Sequence, residues 1–267
     1  MIMKKNIIEN PFLLNKRKEK RLIRFWQIGI FITILLLWEL LSKWGVINKF
    51  LFSSPSAIYK LLTVYLKNGE LFQHIGISLL ETMLGLIIGT FFGLLIAVIL
   101  WWNKTIARIC DPFLVVLNAL PKTALAPIMI IWAGTGLKGI TTVAVSISLI
   151  ITIISAYNYF NQIEEEKIKM LRSFGATKWQ ILHKLVLPSN FPNIINIIKI
   201  NIGMSWIGVI VGEFIVSRKG LGFLITYGSQ IFRLDLVMMG VFILAIIAYL
   251  MSEAVNLIEK KFKSKRS

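Results

Sequence analysis

The chain has few cysteines, histidines and acidic residues among its 267 positions, and each shortage excludes a class of site. The single cysteine, Cys110, excludes a disulfide framework and a thiolate metal site within one chain. The two histidines, His74 and His183, lie in different polar segments and have no ligand spacing. We therefore predict no metal. No nucleophile–base or metal-ligand constellation is present, so the chain is not expected to be an enzyme.

Acidic side chains are outnumbered by basic ones, 13 against 30, which gives a formal net charge of +17. Such a charge could indicate nucleic-acid binding, but 56% of the residues are hydrophobic and only 16% are charged. Soluble domains average about a quarter charged residues. Here Lys and Arg cluster between and beyond long apolar runs, as in membrane proteins. We therefore predict an integral membrane protein, with the lipid bilayer and not nucleic acid around it.

Six apolar runs are long enough to cross a bilayer, which takes about 20 helical residues. They cover residues 25–44, 77–102, 109–132, 140–157, 194–216 and 236–258. The first run has no small-residue cleavage site, so it is predicted to be a retained span and not a signal peptide. The predicted fold is all-α, a six-helix membrane domain at 25–258 flanked by basic segments at 1–24 and 259–267.

Local signals add detail to the spans. In the second run Gly85, Gly89 and Gly93 recur every four residues, a stripe that allows another helix to approach closely. The third run contains three prolines, which predicts a kinked or broken helix. Between the first two runs, Ser54 and Pro55 predict the start of a short amphipathic helix at the interface.

The charge distribution predicts the orientation of the chain. With the amino terminus inside, the inner segments carry more than twice as many Lys and Arg residues as the outer segments. Because cytoplasmic loops are enriched in these residues, both termini are expected in the cytoplasm. The polar stretch 161–193, between the fourth and fifth runs, is placed on the same side.

This stretch, which we call the coupling segment, is the longest polar interruption after the amino terminus. Residues 164–174 show an apolar stripe opposite a charged face, and Gly175 fits the C-cap of a helix. A second helix is predicted from about 177 to 186, ended by Leu187 and Pro188. Two short helices joined at a glycine would form a rigid cytoplasmic docking surface. The alternative is an amphipathic hairpin that lies on the bilayer.

The spacing of Gly175, nine residues, and then Leu185, Leu187 and Pro188 resembles half of a known motif. It is similar to the glycine-to-proline half of the loop in permease subunits of binding-protein-dependent ABC importers. Residues 120–136 and 212–222 resemble two further segments of that family, in its nitrate, sulfonate and taurine branch. The family usually has Glu-Ala-Ala where this chain has Lys-Met-Leu at 169–171.

The resemblance implies a location in the bacterial cytoplasmic (inner) membrane, together with partners and a set of contact residues. The partners are two ABC ATPase subunits, an extracytoplasmic solute-binding protein and a second permease copy as a homodimer. The residues implied for coupling to the ATPase are Arg172, Gly175, Ala176, Leu185, Leu187 and Pro188. The substrate implied is a small organic anion, such as a sulfonate, taurine or nitrate, or a vitamin precursor.

No cofactor is expected on this chain itself. The nearest approach to a phosphate-binding loop, residues 134–139, is followed by Ile140 where the motif requires Lys. ATP would therefore be bound and hydrolysed by the partner subunit.

Lys122 and Glu213 are candidates for the translocation pathway, because charged residues inside a span usually face a cavity or a partner. Trp206 is a third candidate. The alternative for the charged residues is a structural pair or a snorkelling side chain. A second functional class, an ion-coupled secondary transporter or channel without an ATPase, also fits broken helices near the midplane.

Overall fold

The computed structural model describes residues 11–264, and these residues form helices and turns without a strand. The helices are α1 (Pro11–Lys43), α2 (Lys49–Phe52), α3 (Pro55–Lys67), α4 (Glu70–Trp102), α5 (Lys104–Ala119), α6 (Lys122–Ala133), α7 (Leu137–Asn161), α8 (Glu165–Ser173), α9 (Lys178–Ile181), α10 (Leu187–Ser189), α11 (Phe191–Val216), α12 (Leu221–Gln230) and α13 (Leu234–Ser264). A π-helical turn, Leu182–Val186, joins α9 to α10. The all-α prediction is confirmed. The predicted basic segments 1–24 and 259–267 lie partly outside the described residues.

Within the described range, α1, α4, α7, α11 and α13 are long and apolar enough to cross a membrane, and a bent pair makes the count up to six. That pair is α5 and α6, which meet at 100°. The predicted break of the third run is thus confirmed, at Leu120 and Pro121. The other two prolines, Pro112 and Pro127, lie inside the helices.

Helices α4, α7 and α11 pack most closely, through small residues. A Cβ added at Gly85 would lie 2.5 Å from the Cβ of Ala144, and one at Gly93 would lie 2.5 Å from the Cβ of Thr152. At Gly208 of α11, an added Cβ would lie 2.5 Å from the Cα of Ala144. The predicted glycine stripe of α4 therefore faces α7, and missing side chains let the helices touch along their backbones.

The shorter helices surround this core. Ser54 caps α3 and Pro55 is its first residue, as predicted. The carboxylate of Glu39, near the end of α1, accepts a hydrogen bond from the backbone N–H of Ser56 at 3.0 Å. It also lies 3.3 Å from the ammonium of Lys43. Glu39 therefore joins α1 to the start of α3.

The connections define two ends of the molecule. Helix α7 ends and α11 begins at the coupling segment, and we call this side of the molecule the coupling end. Helix α7 begins, at Leu137, and α11 ends, at Val216, at the opposite side, which we call the distal end.

Candidate functional site

At the coupling end, α8 stops because of its glycine. Gly175 has a φ of +78°, a left-handed conformation that costs glycine little. The N–H of Ala176 donates to the carbonyl of Leu171, and the N–H of Gly175 donates to that of Arg172. This bond pair, with Leu171 and Ala176 in one apolar cluster, is a Schellman motif. The predicted C-cap is confirmed.

The second arm of the coupling segment consists of α9, the π turn and α10, residues 178–189, and its cap residue Thr177 follows Gly175 by two positions. Thr177 and Gln180 form a capping box, in which each side chain accepts a hydrogen bond from the other's backbone N–H. The helix then continues through Pro188 to Ser189, so the prediction that Leu187 and Pro188 end it is wrong. Pro188 has no N–H to donate to the carbonyl four residues earlier, and the π turn Leu182–Val186 lies at that position.

The second arm is anchored in the helix core. Ile181, Leu182 and Val186 are fully buried, in a cluster with Phe160 of α7 and Ile197 of α11. This anchoring explains why local helix-ending signals were overridden, since the buried apolar area favours continued helix.

The six residues implied for coupling fall into different environments. Ala176, Leu185 and Leu187 are partly buried against the cluster that anchors the second arm. The side chain of Arg172 is exposed, whereas Gly175 shapes the turn and Pro188 lies within the second arm.

Two exposed apolar side chains at this end were not among the residues predicted to contact the ATPase. Met170 and Phe174 are 54% and 81% exposed, on α8 and at its C-cap. The apolar stripe of residues 164–174 and the helix break at Gly175 were the sequence signals that could have identified them. An apolar pair this exposed on a charged helix is a candidate contact surface.

At the distal end, a cavity of about 1070 Å³ opens between α4, the α6–α7 turn and the α11–α12 turn. Its lining includes Gln73 and Glu81 of α4 and Thr135 of the α6–α7 turn. Two basic residues, Arg218 and Lys219, line it from the α11–α12 turn and are exposed.

Glu213 lies beside this cavity, but it is only 1% exposed. Its carboxylate accepts hydrogen bonds from the N–H groups of Gly222, at 2.6 Å, and Phe223, at 3.3 Å. These N–H groups belong to the first turn of α12, where a negative charge is favoured by the helix dipole. The hydroxyl of Ser78 donates to the same carboxylate at 2.5 Å and accepts from the N–H of Leu221 at 2.7 Å.

The neighbouring turn is bound to α4 by a histidine. Nδ1 of His74 lies 2.9 Å from the nitrogen and 3.0 Å from the carbonyl oxygen of Gly220, so the tautomer decides whether it accepts from the N–H or donates to the carbonyl. An added Cβ at Gly220 would overlap the Glu213 carboxylate, and the φ of +119° also requires glycine. His74 and Glu213 together fix the start of α12.

Glu81 was not among the predicted pathway residues, although an acid within an apolar run was a sufficient signal. It is 2% exposed, its carboxyl group contacts that of Glu213, and its Oε2 has no hydrogen-bond partner in the described chain.

The remaining pathway candidates lie elsewhere. Lys122 is the first residue of α6, and its ammonium donates to the carbonyl of Asn118 at 3.1 Å, across the break from α5. Trp206 is 4% exposed in the apolar cluster that also contains Leu224 and Met239. The structure therefore does not bring Lys122, Trp206 and Glu213 together at one site.

Residues 89–264 match the family model described as "Binding-protein-dependent transport system inner membrane component". The chain is 27% identical over 239 residues to a putative aliphatic sulfonates transport permease of Bacillus subtilis, covering 88% of this chain and 86% of that protein. It is 27% identical over 241 residues to the taurine transport system permease of Escherichia coli, covering 88% and 87%. In fold it is similar to a chain of the MetNI methionine ABC transporter, solved in inward facing conformations. The TM-score is 0.64 at 21% identity, covering 72% of this chain and 95% of that chain.

Proposed function

Because the chain belongs to the family of binding-protein-dependent transport system inner membrane components, as a permease of an ABC importer, we propose that it forms a substrate pathway driven by a separate ATPase. An external solute-binding protein would deliver the solute at the distal end. The family favours this function over an ion-coupled transporter or channel. The observation that carries it is a coupling segment that is packed into the helix core and carries an exposed apolar tip, Met170 and Phe174.

The proposed ATPase contact is the tip formed by Met170 and Phe174, with Arg172 beside it. The second arm, including Leu185 and Leu187, transmits force because it is packed into the ends of the spans. The usual Glu-Ala-Ala is replaced by Lys169, Met170 and Leu171, so the facing surface of the ATPase is expected to offer apolar area and acidic groups.

We test the contact by replacing Met170 and Phe174 with Glu. Loss of an apolar anchor commonly costs about 2 kcal/mol or more at an interface, and so about thirtyfold in affinity. The ATPase encoded with this permease should then fail to co-purify. Trp44→Glu is the matched control, an equally exposed apolar residue beyond the end of α1. Full co-purification with the doubly substituted chain would refute the contact.

The proposed substrate is a small organic anion, of the kind that the names of the sulfonate and taurine relatives indicate. The support in this chain is the basic pair Arg218 and Lys219 at the distal cavity. The acid in the lining, Glu81, is only 2% exposed, so the exposed charges of the cavity are basic, and a surface of one charge sign concentrates ions of the opposite sign. Lys122 remains a second candidate contact, at the break between α5 and α6.

The substrate proposal predicts that Arg218→Gln with Lys219→Gln raises the KM for uptake of ethanesulfonate about tenfold, in cells that carry the complete importer. Lys138→Gln, at the start of α7 outside the cavity lining, is the control. If the importer instead takes up riboflavin, with weak inhibition by ethanesulfonate and no change in either variant, the result would support a vitamin-type substrate.

We also propose that two copies of this chain assemble. Helices α5 and α6 leave large apolar side chains uncovered, among them Phe113, Ile131 and Trp132, at 66%, 78% and 82% exposure. A second copy against this bent pair would enclose the pathway between two permeases. Cross-linking at position 131 in an Ile131→Cys variant that also carries Cys110→Ser should give a dimer, and a strictly monomeric product would contradict it.

A further inference from the structure

At the coupling end, a second and more polar cavity of about 440 Å³ lies between the coupling segment and the start of α5. Four basic residues from three places in the chain line it, and one acidic residue does so. They are Lys104, Lys169, Arg172, Lys178 and Glu165. Trp101, in the last turn of α4, forms an aromatic wall.

The protein itself satisfies only part of this charge. The ammonium of Lys169 lies 3.5 Å from the carboxylate of Glu165. The ammonium of Lys178 donates to the carbonyl of Trp102 and lies 5.3 Å from the centre of its ring. Within residues 11–264 the side chains of Lys104 and Arg172 form neither an ion pair nor a hydrogen bond, so their charges remain available to a ligand.

We propose that this cavity binds the phosphate of an anionic phospholipid headgroup. Four cations around one polar space repel each other unless an anion joins them, and Glu165 supplies only one negative charge. The tryptophans at the end of α4 are typical of the membrane interface, where headgroup phosphates lie. Basic pockets between spanning helices on the cytoplasmic side are suited to such headgroups.

The position of the cavity gives the lipid a mechanical role. Lys104 is the first residue of α5, whereas Lys169 and Arg172 belong to α8. A headgroup held by both would link the coupling segment to the broken third span. This role rests on the proposed function, but binding itself does not.

The test measures retention of phosphatidylglycerol by the purified full-length chain, using native mass spectrometry in detergent with phosphatidylcholine as competitor. Lys104→Gln with Arg172→Gln should lower the apparent affinity for phosphatidylglycerol about fivefold for each removed charge. Lys138→Gln, at the distal end, should leave it unchanged. The unfolding temperature of each variant, followed by thiol labelling of Cys110, separates a lost site from a misfolded chain.

Equal retention by the double variant and the native chain, both folded, would overturn the proposal. Saturable binding of inorganic phosphate without selective retention of phosphatidylglycerol would also overturn it and assign the cavity to free phosphate. Because no ATPase takes part in this measurement, failure of the coupling proposal would leave the lipid result intact, and the reverse also holds.

Discussion

Glu213 shows what one buried carboxylate contributes at the scale of single residues. It binds two N–H groups at the start of α12 and the hydroxyl of Ser78, with 1% exposure. Removing the acceptor leaves these donors buried without partners, at about 1–3 kcal/mol each. Glu213→Ala should therefore lower the free energy of unfolding by about 3 kcal/mol or more, whereas Glu213→Gln, which keeps one oxygen, should lower it less.

This loss of stability can be measured with the single cysteine, since Cys110 is partly buried against a small apolar cluster formed by α4, α5 and α7. Thiol labelling during heating reports the temperature at which that cluster opens. Glu70→Gln is the control, because Glu70 is an exposed acid at the start of α4. Equal unfolding temperatures for Glu213→Ala and the native chain would show that the carboxylate does not fix α12.

The sequence was sufficient to select Glu213, because an acid inside an apolar run is rare. Its role could not be predicted, since Ser78 lies 135 positions away in the chain. Proximity of that kind follows from helix packing and has no local signal. Glu81 is also an acid inside an apolar run, so it could have been selected from the sequence in the same way.

At the scale of helices, the contact between α4 and α7 depends on glycine. A Cβ at Gly89 would lie 2.9 Å from the Cβ of Ser148 and overlap its hydroxyl, so the two helices would have to separate. Gly89→Ala should therefore destabilise the chain by about 1–3 kcal/mol, the usual cost of overpacking.

Gly203→Ala is the matched control, because an added Cβ there meets nothing within 4 Å in α11. Alanine is the better helix former by up to about 1 kcal/mol, so this variant should be neutral or more stable. The unfolding temperature should thus fall for Gly89→Ala and stay the same or rise for Gly203→Ala. If both moved the same way, close packing at Gly89 would not be what holds α4 to α7.

The coupling segment divides into predictable and unpredictable parts. The end of α8 follows from one local signal, Gly175, and was predicted correctly. The continuation of the helix through Pro188 was not predicted, because the rule that proline ends a helix considers only the local sequence. Burial of Leu182 and Val186 in the core stabilises a π turn there, and only the tertiary structure contains that information.

For the whole molecule, apolar run length predicted a span within each long helix of the described residues, because a bilayer imposes a length on any span. It did not predict where α1 begins, since that helix starts at Pro11, well before the predicted run at 25–44. The third run was different. Its 100° bend at Leu120 and Pro121 depends on how α6 packs against α7 and α11. Run length therefore predicts the number of spans, whereas the shape of a broken span follows from packing.

The orientation of the whole chain is still a prediction from charge alone, and two cysteine positions can test it. In a Cys110→Ser background, Asn68→Cys lies in the exposed turn before α4, at the distal end, and Ser173→Cys lies on exposed α8. A membrane-impermeant maleimide should label position 68 in intact cells, and position 173 only after the membrane is permeabilised. Because Lys and Arg are retained on the cytoplasmic side, the basic coupling end should be protected. The reverse pattern would place α8 outside the cell, where no ATPase could reach it, and would refute the coupling proposal together with the orientation.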